Sequence, residues 1–162
     1  MAQLIQRRTV LVGMSALAIA GPTVARASTE HTVEMLNRDP DDRKRAQIFK
    51  PLITTVEPGD SIVFASTDRG HNSQSDEDMI PEGVEGWKGK LNDNISVTFE
   101  KPGVYGYRCL PHYALGMVGL VIVRGEGMAD NLEAAMGVRH RGRAGKVWEE
   151  IWAQVESENL MA

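Results

Sequence analysis

Two apolar segments flank a short polar loop in the stretch VYGYRCLPHYALGMVGLVIV, residues 104–123. The first segment follows a Pro-Gly turn and is rich in valine and tyrosine, residues that favour strands. The second segment is almost continuously apolar, which is typical of a strand buried on both faces. We therefore predict two neighbouring β-strands whose connecting loop contains Cys109, His112 and Met117.

Short β-rich runs separated by turns continue this pattern towards the amino terminus. They lie at residues 32–36, 53–56, 61–65 and 95–99, with a Pro-Gly-Asp turn at 58–60. Such a series predicts an antiparallel sandwich or barrel rather than βαβ units. Segments 37–45 and 68–90 are predicted to be solvated loops.

The hydrophobic period becomes helical near the end of the chain. Asp130 is placed to cap a first helix over residues 132–139. A second helix is indicated by apolar residues at every fourth position, namely Val147, Ile151 and Val155. The neighbouring tryptophans, Trp148 and Trp152, are expected to pack against the sandwich.

The amino-terminal segment has the features of a secretory signal peptide. Arg7 and Arg8 precede an apolar run over residues 9–20, and Ala25-Arg26-Ala27 offers a small-x-small cleavage site. The run is short for a membrane span, although an uncleaved anchor is the alternative. The arginine pair also resembles a twin-arginine signal. We therefore predict a signal peptide over residues 1–27 and a mature protein in the periplasm.

The mature part is predicted to be a single domain over residues 28–162. Its sandwich should span about residues 29–125 and its helices about residues 129–158. We see no second change of composition or period that would mark a further domain. The fold class is therefore mainly β, with two C-terminal α-helices.

Charge and cysteine content exclude several classes of protein. The chain of 162 residues has a formal net charge of −4, and none of its 22 acidic residues lies within the predicted signal peptide. A chain without a global positive field is not expected to bind nucleic acid. Its one cysteine cannot form an internal disulfide, so disulfides do not hold the fold together.

Cys109 is left with three roles: a small buried apolar residue, a nucleophile or a metal ligand. A thiolate, an imidazole and a thioether occur within nine residues, at Cys109, His112 and Met117, and this donor set suits copper. A nucleophilic Cys109 with His112 as its base is the alternative. Neither an oxyanion hole nor a substrate motif is evident nearby.

A copper site of this kind needs a second imidazole. His71 is the best candidate, because it follows the apolar run at 61–65 and can reach the same end of a sandwich. The two remaining histidines, His31 and His140, are predicted to be ordinary surface residues.

Short motifs along the chain carry a resemblance to a known family. They are MLN at 35–37, VEPGDSIVF at 56–64, GHN at 70–72, MIPEG at 79–83, PGVYG at 102–106 and the loop at 109–117. With them the chain resembles the pseudoazurins, blue type 1 copper proteins of the cupredoxin family. The Cys-x2-His-x4-Met spacing is shared with plastocyanins, whereas the Met-Ile-Pro segment and the two final helices are similar to pseudoazurins.

The resemblance implies a cupredoxin Greek-key β-sandwich that binds one type 1 copper ion. Carried over residue by residue, it assigns His71, Cys109, His112 and Met117 as the copper ligands. It also implies that Asn72 ties the two ligand loops together and donates a hydrogen bond to the thiolate.

The same resemblance implies a function. The protein would be a periplasmic electron carrier and not an enzyme, passing one electron from a donor such as a c-type cytochrome to an acceptor reductase, above all nitrite reductase. It would be a monomer that binds neither membrane nor nucleic acid in its mature form. A copper-binding or copper-delivery protein without electron transfer is the alternative, and a thiol enzyme is a third possibility.

His112 is the expected exit for the electron, because its imidazole edge should reach solvent. We predict an apolar docking patch around it, made of Met35, Ile80, Pro81, Pro111, Ala114 and Leu115. A basic rim would steer acidic partners towards this patch. Its predicted members are Arg69, Lys88, Lys90, Lys101 and Arg108.

Two departures from the family pattern lie near the predicted site. Ala114-Leu115 stands where many relatives have Gly-Met, which changes the apolar rim. Gln47 falls where relatives often have a methionine close to the copper imidazole. We expect both to affect the reduction potential and the choice of partner, and not copper binding itself.

Overall fold

The computed structural model describes residues 26–162 of the chain. The predicted signal peptide lies outside these residues except for Arg26 and Ala27, so it stays a prediction. Within residues 26–162, no helix is both long and apolar enough to cross a membrane.

Eight β-strands and two α-helices make up this described part. The strands are β1 (Glu30–Arg38), β2 (Ala46–Lys50), β3 (Ile53–Val56), β4 (Asp60–Ala65), β5 (Gln74–Ser75), β6 (Ile95–Phe99), β7 (Gly103–Arg108) and β8 (Val118–Val123). The helices are α1 (Leu132–Met136) and α2 (Arg143–Ser157). Two 3-10 turns lie at Glu77–Met79 and Tyr113–Leu115.

The strands form two sheets, with the orders β2-β1-β4-β6 and β3-β8-β7-β5. The prediction of a mainly β sandwich with two C-terminal helices is confirmed. The prediction of antiparallel pairing is wrong for two neighbours, because β1 and β4 are parallel, as are β3 and β8. Both parallel pairs arise where the chain crosses from one sheet to the other and back between the paired strands.

The main core lies between the two sheets. In β4, residues are alternately buried and half-buried, as expected for a strand with one face in the core. Phe49, Phe64 and Tyr107 meet there edge to face, with ring centroids of Tyr107 4.7 and 4.9 Å from those of Phe49 and Phe64. Cys109 and Met117 belong to the same apolar cluster, so the predicted ligand loop sits at one end of this core.

A second core lies between the outer face of the β3-β8-β7-β5 sheet and the two helices. All six residues of β8 are buried, since one face lies in each core. This confirms the prediction made from its continuous apolar sequence. Ile151 and Trp148 of α2 are 0% and 2% exposed against this face, so α2 packs on the sandwich as expected.

Residues 71–76 are buried, and the prediction that segment 68–90 is a solvated loop is therefore wrong for its first part. Hydrogen bonds within the segment replace those to water. The indole N–H of Trp87 donates to Ser73 Oγ at 3.0 Å, and the backbone N–H of Ser75 donates to the Trp87 carbonyl at 3.0 Å. Polar residues can be buried when such partners are available.

The first helix begins after Asn131, not after the predicted cap Asp130, and ends at Met136. The side chain of Asn131 makes no capping hydrogen bond to its helix. Its side chain instead bridges to β7, accepting from the Val104 N–H at 3.0 Å and donating to the Val104 carbonyl at 2.8 Å. The residue is thus used to join α1 to the sheet.

Candidate metal centre

The ligand loop, residues 109–117, connects β7 with β8 and is closed by its own backbone. The N–H of Cys109 donates to the carbonyl of Met117 at 3.0 Å, and the N–H of Met117 donates to the carbonyl of His112 at 3.2 Å. The 3-10 turn Tyr113–Leu115 occupies the tip between them. These bonds hold the three predicted ligands of the loop at one end of the sandwich.

His71 reaches the same end from the segment that follows β4. Its Nδ1 lies 3.8 Å from Cys109 Sγ and 3.1 Å from His112 Nδ1, while Cys109 Sγ lies 3.5 Å from His112 Nδ1. His71 and Cys109 are fully buried, whereas His112 is partly exposed. Three of the four predicted donors therefore converge, two of them from the same loop and one from a distant part of the chain.

Asn37, at the end of β1, orients the imidazole of His71. Its Oδ1 lies 3.0 Å from His71 Nε2, so the ring can donate its Nε2–H there and leave the lone pair of Nδ1 facing the other donors. Such an outer hydrogen bond fixes both tautomer and ring orientation in metal sites. Sequence reasoning gave Asn37 no role, although its place in the MLN motif was noted.

Asn72 ties the two ligand segments together, as the resemblance implied. Its Oδ1 accepts the backbone N–H of Leu110 at 2.8 Å, and its Nδ2 donates to the carbonyl of Gly89 at 3.2 Å. The hydrogen bond to the sulfur of Cys109 comes from the backbone N–H of Asn72. The side-chain amide is thereby free to hold the loops.

The electrostatic surroundings favour neutral donors in the absence of metal. Burial, and then the positive charge of a protonated His112, lowers the pKa of His71. Burial raises the pKa of the Cys109 thiol, although the backbone N–H groups of Asn72 and His112 act in the opposite direction. A neutral imidazole is ready to bind a metal, and a bound metal ion would displace the thiol proton.

Met117 is fully buried beside these donors and belongs to the main core. Its backbone is bonded to both Cys109 and His112. The assignment of its thioether as the fourth ligand remains a prediction. A thiolate and two imidazoles with a weak thioether form the donor set that suits copper, and the residues present fit that ion.

The surface around His112 differs from the predicted apolar patch. Pro111, Ala114 and Leu115 are exposed there as expected, but Met35 is 0% exposed in the main core. Pro81 packs against Gly103, at the far end of β7 from the ligand loop. Ile80 is half-buried against the main core. Met35 and Pro81 are therefore wrong members of the patch, whereas the membership of Ile80 stays a prediction.

Two leucines that sequence reasoning missed complete this surface. Leu91 and Leu110 are 54% and 56% exposed, and both line an apolar groove with Pro111 and Lys88. Leu110 could have been predicted from the sequence, because it lies between Cys109 and the other exposed loop residues. Leu91 lies far from the loop in sequence, and only the fold brings it close.

The predicted basic rim is present in part. Lys88 and Lys90 are exposed beside this groove, and Arg69 is exposed just before His71. Arg108 is held by an ion pair with Asp76 at 3.1 Å. Lys101 does not belong to the rim, because it precedes β7 whereas Cys109 follows this strand. The six residues of β7 span about 20 Å.

Gln47 has an unusual backbone and an unsatisfied side chain. Its φ is +55°, and its Oε1 is buried without a hydrogen-bond partner among the described residues. In the β1–β2 ladder it lies between the pairs Leu36–Ile48 and Arg38–Ala46, and hence opposite Asn37. Its effect on the reduction potential stays a prediction.

Neither of the remaining histidines is an ordinary surface residue, contrary to prediction. His31 Nε2 lies 3.3 Å from the buried carboxylate of Asp60, which also accepts Arg26 Nη1 at 2.8 Å. The Arg26 guanidinium holds the pKa of Asp60 well below its usual range. This cluster belongs to the end of β4 remote from the metal donors, where it ties the start of the described chain to the sandwich.

His140 lies in the connection between α1 and α2 and is half-buried. The hydroxyl of Tyr113, the neighbour of His112, forms a hydrogen bond with His140 Nδ1 at 2.9 Å. The His140 ring stacks on Trp148 at a centroid distance of 5.1 Å. Burial lowers the pKa of His140. The histidine thus joins the ligand loop to α2, a contact that no sequence pattern indicated.

Comparisons with known proteins agree with this geometry. The family of copper binding proteins of the plastocyanin/azurin type matches residues 40–124. A pseudoazurin from Methylorubrum extorquens is 40% identical over 147 residues, which cover 90% of this chain and 96% of the relative. A pseudoazurin from Paracoccus pantotrophus is 40% identical over 139 residues, which cover 86% and 90%.

A solved pseudoazurin structure from Sinorhizobium superposes with a TM-score of 0.74 and 43% sequence identity. The superposition covers 80% of this chain and 98% of that one. The chain therefore belongs to the pseudoazurins, blue-copper electron carriers of the copper-binding plastocyanin/azurin family.

Proposed function

We propose that the protein is a periplasmic carrier of single electrons in which His71, Cys109, His112 and Met117 hold one copper ion. The observation that carries the proposal is the convergence of the donor atoms of the first three residues within 4.8 Å of one another. When bound, copper supplies a couple that accepts and releases one electron. Membership of the pseudoazurins supports the same role.

Hydrogen bonds within the protein hold the donor residues in place. Asn37 orients His71, Asn72 joins its own segment to Leu110, and the loop is closed between Cys109 and Met117. A site held in this way moves little when its charge changes, and such preorganisation favours rapid electron transfer. These bonds support a redox role over an open, readily exchanging metal site.

His112 is the proposed exit for the electron. It is the one partly exposed residue among the three converging donors, since His71 and Cys109 are fully buried. Exposed apolar side chains surround it, with Leu110 at 56% and Leu115 at 53% exposure. A small apolar patch with a charged margin suits the weak, short-lived contacts of redox proteins.

The proposed donor is a c-type cytochrome, and the proposed acceptor is a reductase, above all nitrite reductase. The mature protein would meet both in the periplasm as a monomer. Export is proposed to depend on a signal peptide over residues 1–27, with Arg7 and Arg8 as a twin-arginine feature. Cleavage after Ala27 would leave a single domain over residues 28–162 and remove Arg26, one of the partners of Asp60.

Addition of Cu(II) to the purified copper-free protein tests the site. We expect an intense blue absorption band from the thiolate, and we expect ascorbate to bleach it reversibly. Cys109→Ser should abolish the band, and His71→Ala should abolish or strongly alter it. His31→Ala is the matched control and should leave it unchanged. A colourless complex that loses its metal readily to a chelator would favour copper delivery instead.

Stopped-flow kinetics test the proposed partners. Reduced protein is mixed with a copper nitrite reductase and, separately, oxidised protein is mixed with a reduced c-type cytochrome. We expect saturable or second-order transfer that slows with added salt. If a protein that still shows the reversible blue band transfers no electron to either partner, the assignment of the partners is contradicted. The assignment of the copper site is not affected by that result.

A further inference from the structure

Asp60, at the start of β4, is an almost fully buried carboxylate that collects hydrogen bonds from the beginning of the described chain. Its side chain is 1% exposed. The backbone N–H of Thr29 donates to Oδ1 at 2.8 Å, and that of Glu57 donates to Oδ2 at 3.1 Å. Oδ2 also lies 3.3 Å from His31 Nε2. A buried carboxylate is stable as an anion only when hydrogen bonds and a cation replace the water that it has lost.

The cation beside Asp60 in this structure is Arg26. Its guanidinium group makes a bidentate pair with the carboxylate, with Nη1–Oδ1 and Nη2–Oδ2 distances of 2.8 and 3.2 Å. This pair is the main reason why the pKa of Asp60 lies well below its usual range. His31 carries a charge only when it is protonated. Loss of Arg26 would therefore leave the carboxylate without a permanent cation among the partners that residues 26–162 provide.

The predicted cleavage removes this arginine and creates a new cation close by. Cleavage between Ala27 and Ser28 turns the nitrogen of Ser28 into an α-ammonium group, and an ordinary pKa of about 7.7–8.0 keeps such a group mostly charged at neutral pH. The Thr29 nitrogen is 2.8 Å from Asp60 Oδ1, and the nitrogens of consecutive residues are at most about 3.7 Å apart. The Ser28 nitrogen therefore lies no farther than about 6.5 Å from the carboxylate.

Two hydrogen bonds anchor the chain immediately after this nitrogen. Besides the bond from its N–H to Asp60, Thr29 accepts the backbone N–H of Ser61 at 2.9 Å through its carbonyl. β1 then pairs in parallel with β4 from Glu30 and Ser61 onwards. Only rotations within Ser28 separate its ammonium group from the carboxylate, so a direct ion pair needs the ordering of a single residue.

We propose that Asp60 is the binding site for the amino terminus that processing releases, with the α-ammonium group of Ser28 taking the place of the Arg26 guanidinium. The inference rests on the proposed cleavage after Ala27. Hydrolysis of the Ala27–Ser28 bond consumes one water and leaves a carboxylate on the departing Ala27 and an ammonium group on Ser28. Arg26 and Thr29, on the two sides of this bond, are both bonded to Asp60. Processing thus exchanges one cation for another at the same buried acceptor and fixes the first residue of the mature chain.

The first measurement identifies the amino terminus of the protein purified from the periplasm of a host that expresses the full chain. The intact mass and the sequence of the terminal peptide should show Ser28. Any other terminus would contradict the cleavage after Ala27 and, with it, the binding of Ser28 to Asp60. With Ser28 found at the terminus, the second measurement decides the binding alone.

The second measurement is the pKa of the Ser28 amino group in the folded protein, obtained from the pH dependence of its competitive acylation by a trace reagent. We expect this pKa to lie about one pH unit above the ordinary range of about 7.7–8.0, because a carboxylate within about 6.5 Å favours the charged form. Asp60→Asn should return the pKa to that range. An ordinary pKa in the parent protein would overturn the inference.

Glu30→Gln is the matched control, because Glu30 is an exposed carboxylate only two residues from Ser28. This variant should keep most of the rise in the pKa of the amino group, since the buried Asp60 is unchanged. A pKa that falls to its ordinary range in Glu30→Gln would overturn the inference, because the exposed carboxylate would then be the partner.

Selective acetylation of the Ser28 amino group gives a test that does not depend on whether Asp60→Asn folds. The reaction is run at about pH 6.5, where lysine amines are much more fully protonated than the α-amino group. An amine whose pKa is raised by folding stabilises the folded state below its unfolded pKa, and this stabilisation is lost as the pH rises through its folded pKa. His31 and Glu57, the other titratable residues beside Asp60, are common to both forms.

Urea denaturation of the copper-free protein compares the acetylated with the unmodified form. Acetylation should raise the unfolding constant by a factor that is about tenfold larger at about pH 6.5 than at about pH 10, which corresponds to a pKa raised by about one pH unit. An equal effect of acetylation at the two pH values would overturn the inference.

Discussion

The side-chain carbonyl of Asn72 accepts a 2.8 Å hydrogen bond from the backbone N–H of Leu110, the residue after Cys109. Asn72 itself follows His71, so this one bond joins two ligand segments that are 38 residues apart in sequence. Its amide also donates to Gly89. A single buried side chain therefore sets the spacing between the two halves of the metal centre.

Asn72→Ala should lower the free energy of unfolding of the copper-free protein by about 1–2 kcal/mol, because the Leu110 N–H loses its partner. Urea denaturation measures this loss. The blue band of the copper form should also shift or weaken. Asn94→Ala is the matched control, since Asn94 accepts the Ser66 N–H at 2.8 Å on the exposed surface. An equal change of colour in the control would contradict the assigned role.

Asn37→Ala should weaken copper binding about tenfold. This is the lower end of the range observed when a residue that hydrogen-bonds to a metal ligand is removed. The variant removes the acceptor of His71 Nε2, so the imidazole is no longer fixed in one orientation. Competition with a Cu(I) chelator measures the affinity. Asn37→Asp keeps an acceptor and should bind copper more tightly than Asn37→Ala. Unchanged affinity in the alanine variant would contradict this role.

His140→Gln should reduce the dependence of stability on pH. Burial lowers the pKa of His140 below its ordinary value of 6.5. The unfolded chain therefore takes up this proton first, and the folded state loses stability as the pH falls below about 6.5. Urea denaturation of the copper-free protein between about pH 7 and pH 5 measures the slope. The buried His71 contributes equally to both proteins, so the difference reports His140.

Tyr113→Phe serves as the comparison for His140→Gln. It removes the 2.9 Å hydrogen bond to the histidine but keeps the imidazole in its buried place. We expect stability to fall by about 1 kcal/mol throughout the pH range, with most of the slope retained. A slope that vanishes in Tyr113→Phe but persists in His140→Gln would contradict the explanation.

Leu115→Asp should slow electron self-exchange between reduced and oxidised copies about tenfold, because a charge then has to be buried when two apolar patches meet. Line broadening in mixtures of the two redox forms measures the rate. Met136→Asp is the matched control, since Met136 on α1 has 52% exposure against 53% for Leu115. Similar slowing in both variants would show that self-exchange does not use the surface around His112.

Local patterns were sufficient to predict most strands and the converging donors. The run at 118–123 is buried on both faces, as its continuous apolar sequence indicated. Cys109, His112 and Met117 are close because the loop that holds them is short and is closed by backbone hydrogen bonds among these residues. His71 could be added because it follows β4, a strand that ends at the same edge of the sandwich.

The sequence alone could not show at which end of the sandwich each loop lies. Lys101 and Arg108 are both close to Cys109 in sequence, yet β7 separates Lys101 from the site. The same strand separates Pro81 from His112, because Pro81 packs against Gly103. Burial of the polar residues 71–76 was also missed, since their hydrogen bonds go to Trp87, later in the same segment, and to Gly106 in β7.

The metal donors are joined by contacts that span 38 and 41 residues of sequence, from His71 to Cys109 and to His112. An unfolded or partly folded chain cannot present them as one group, because contacts of this range form only when the two sheets have come together. Copper affinity is therefore a property of the folded chain, and the energy of binding adds to the energy of folding.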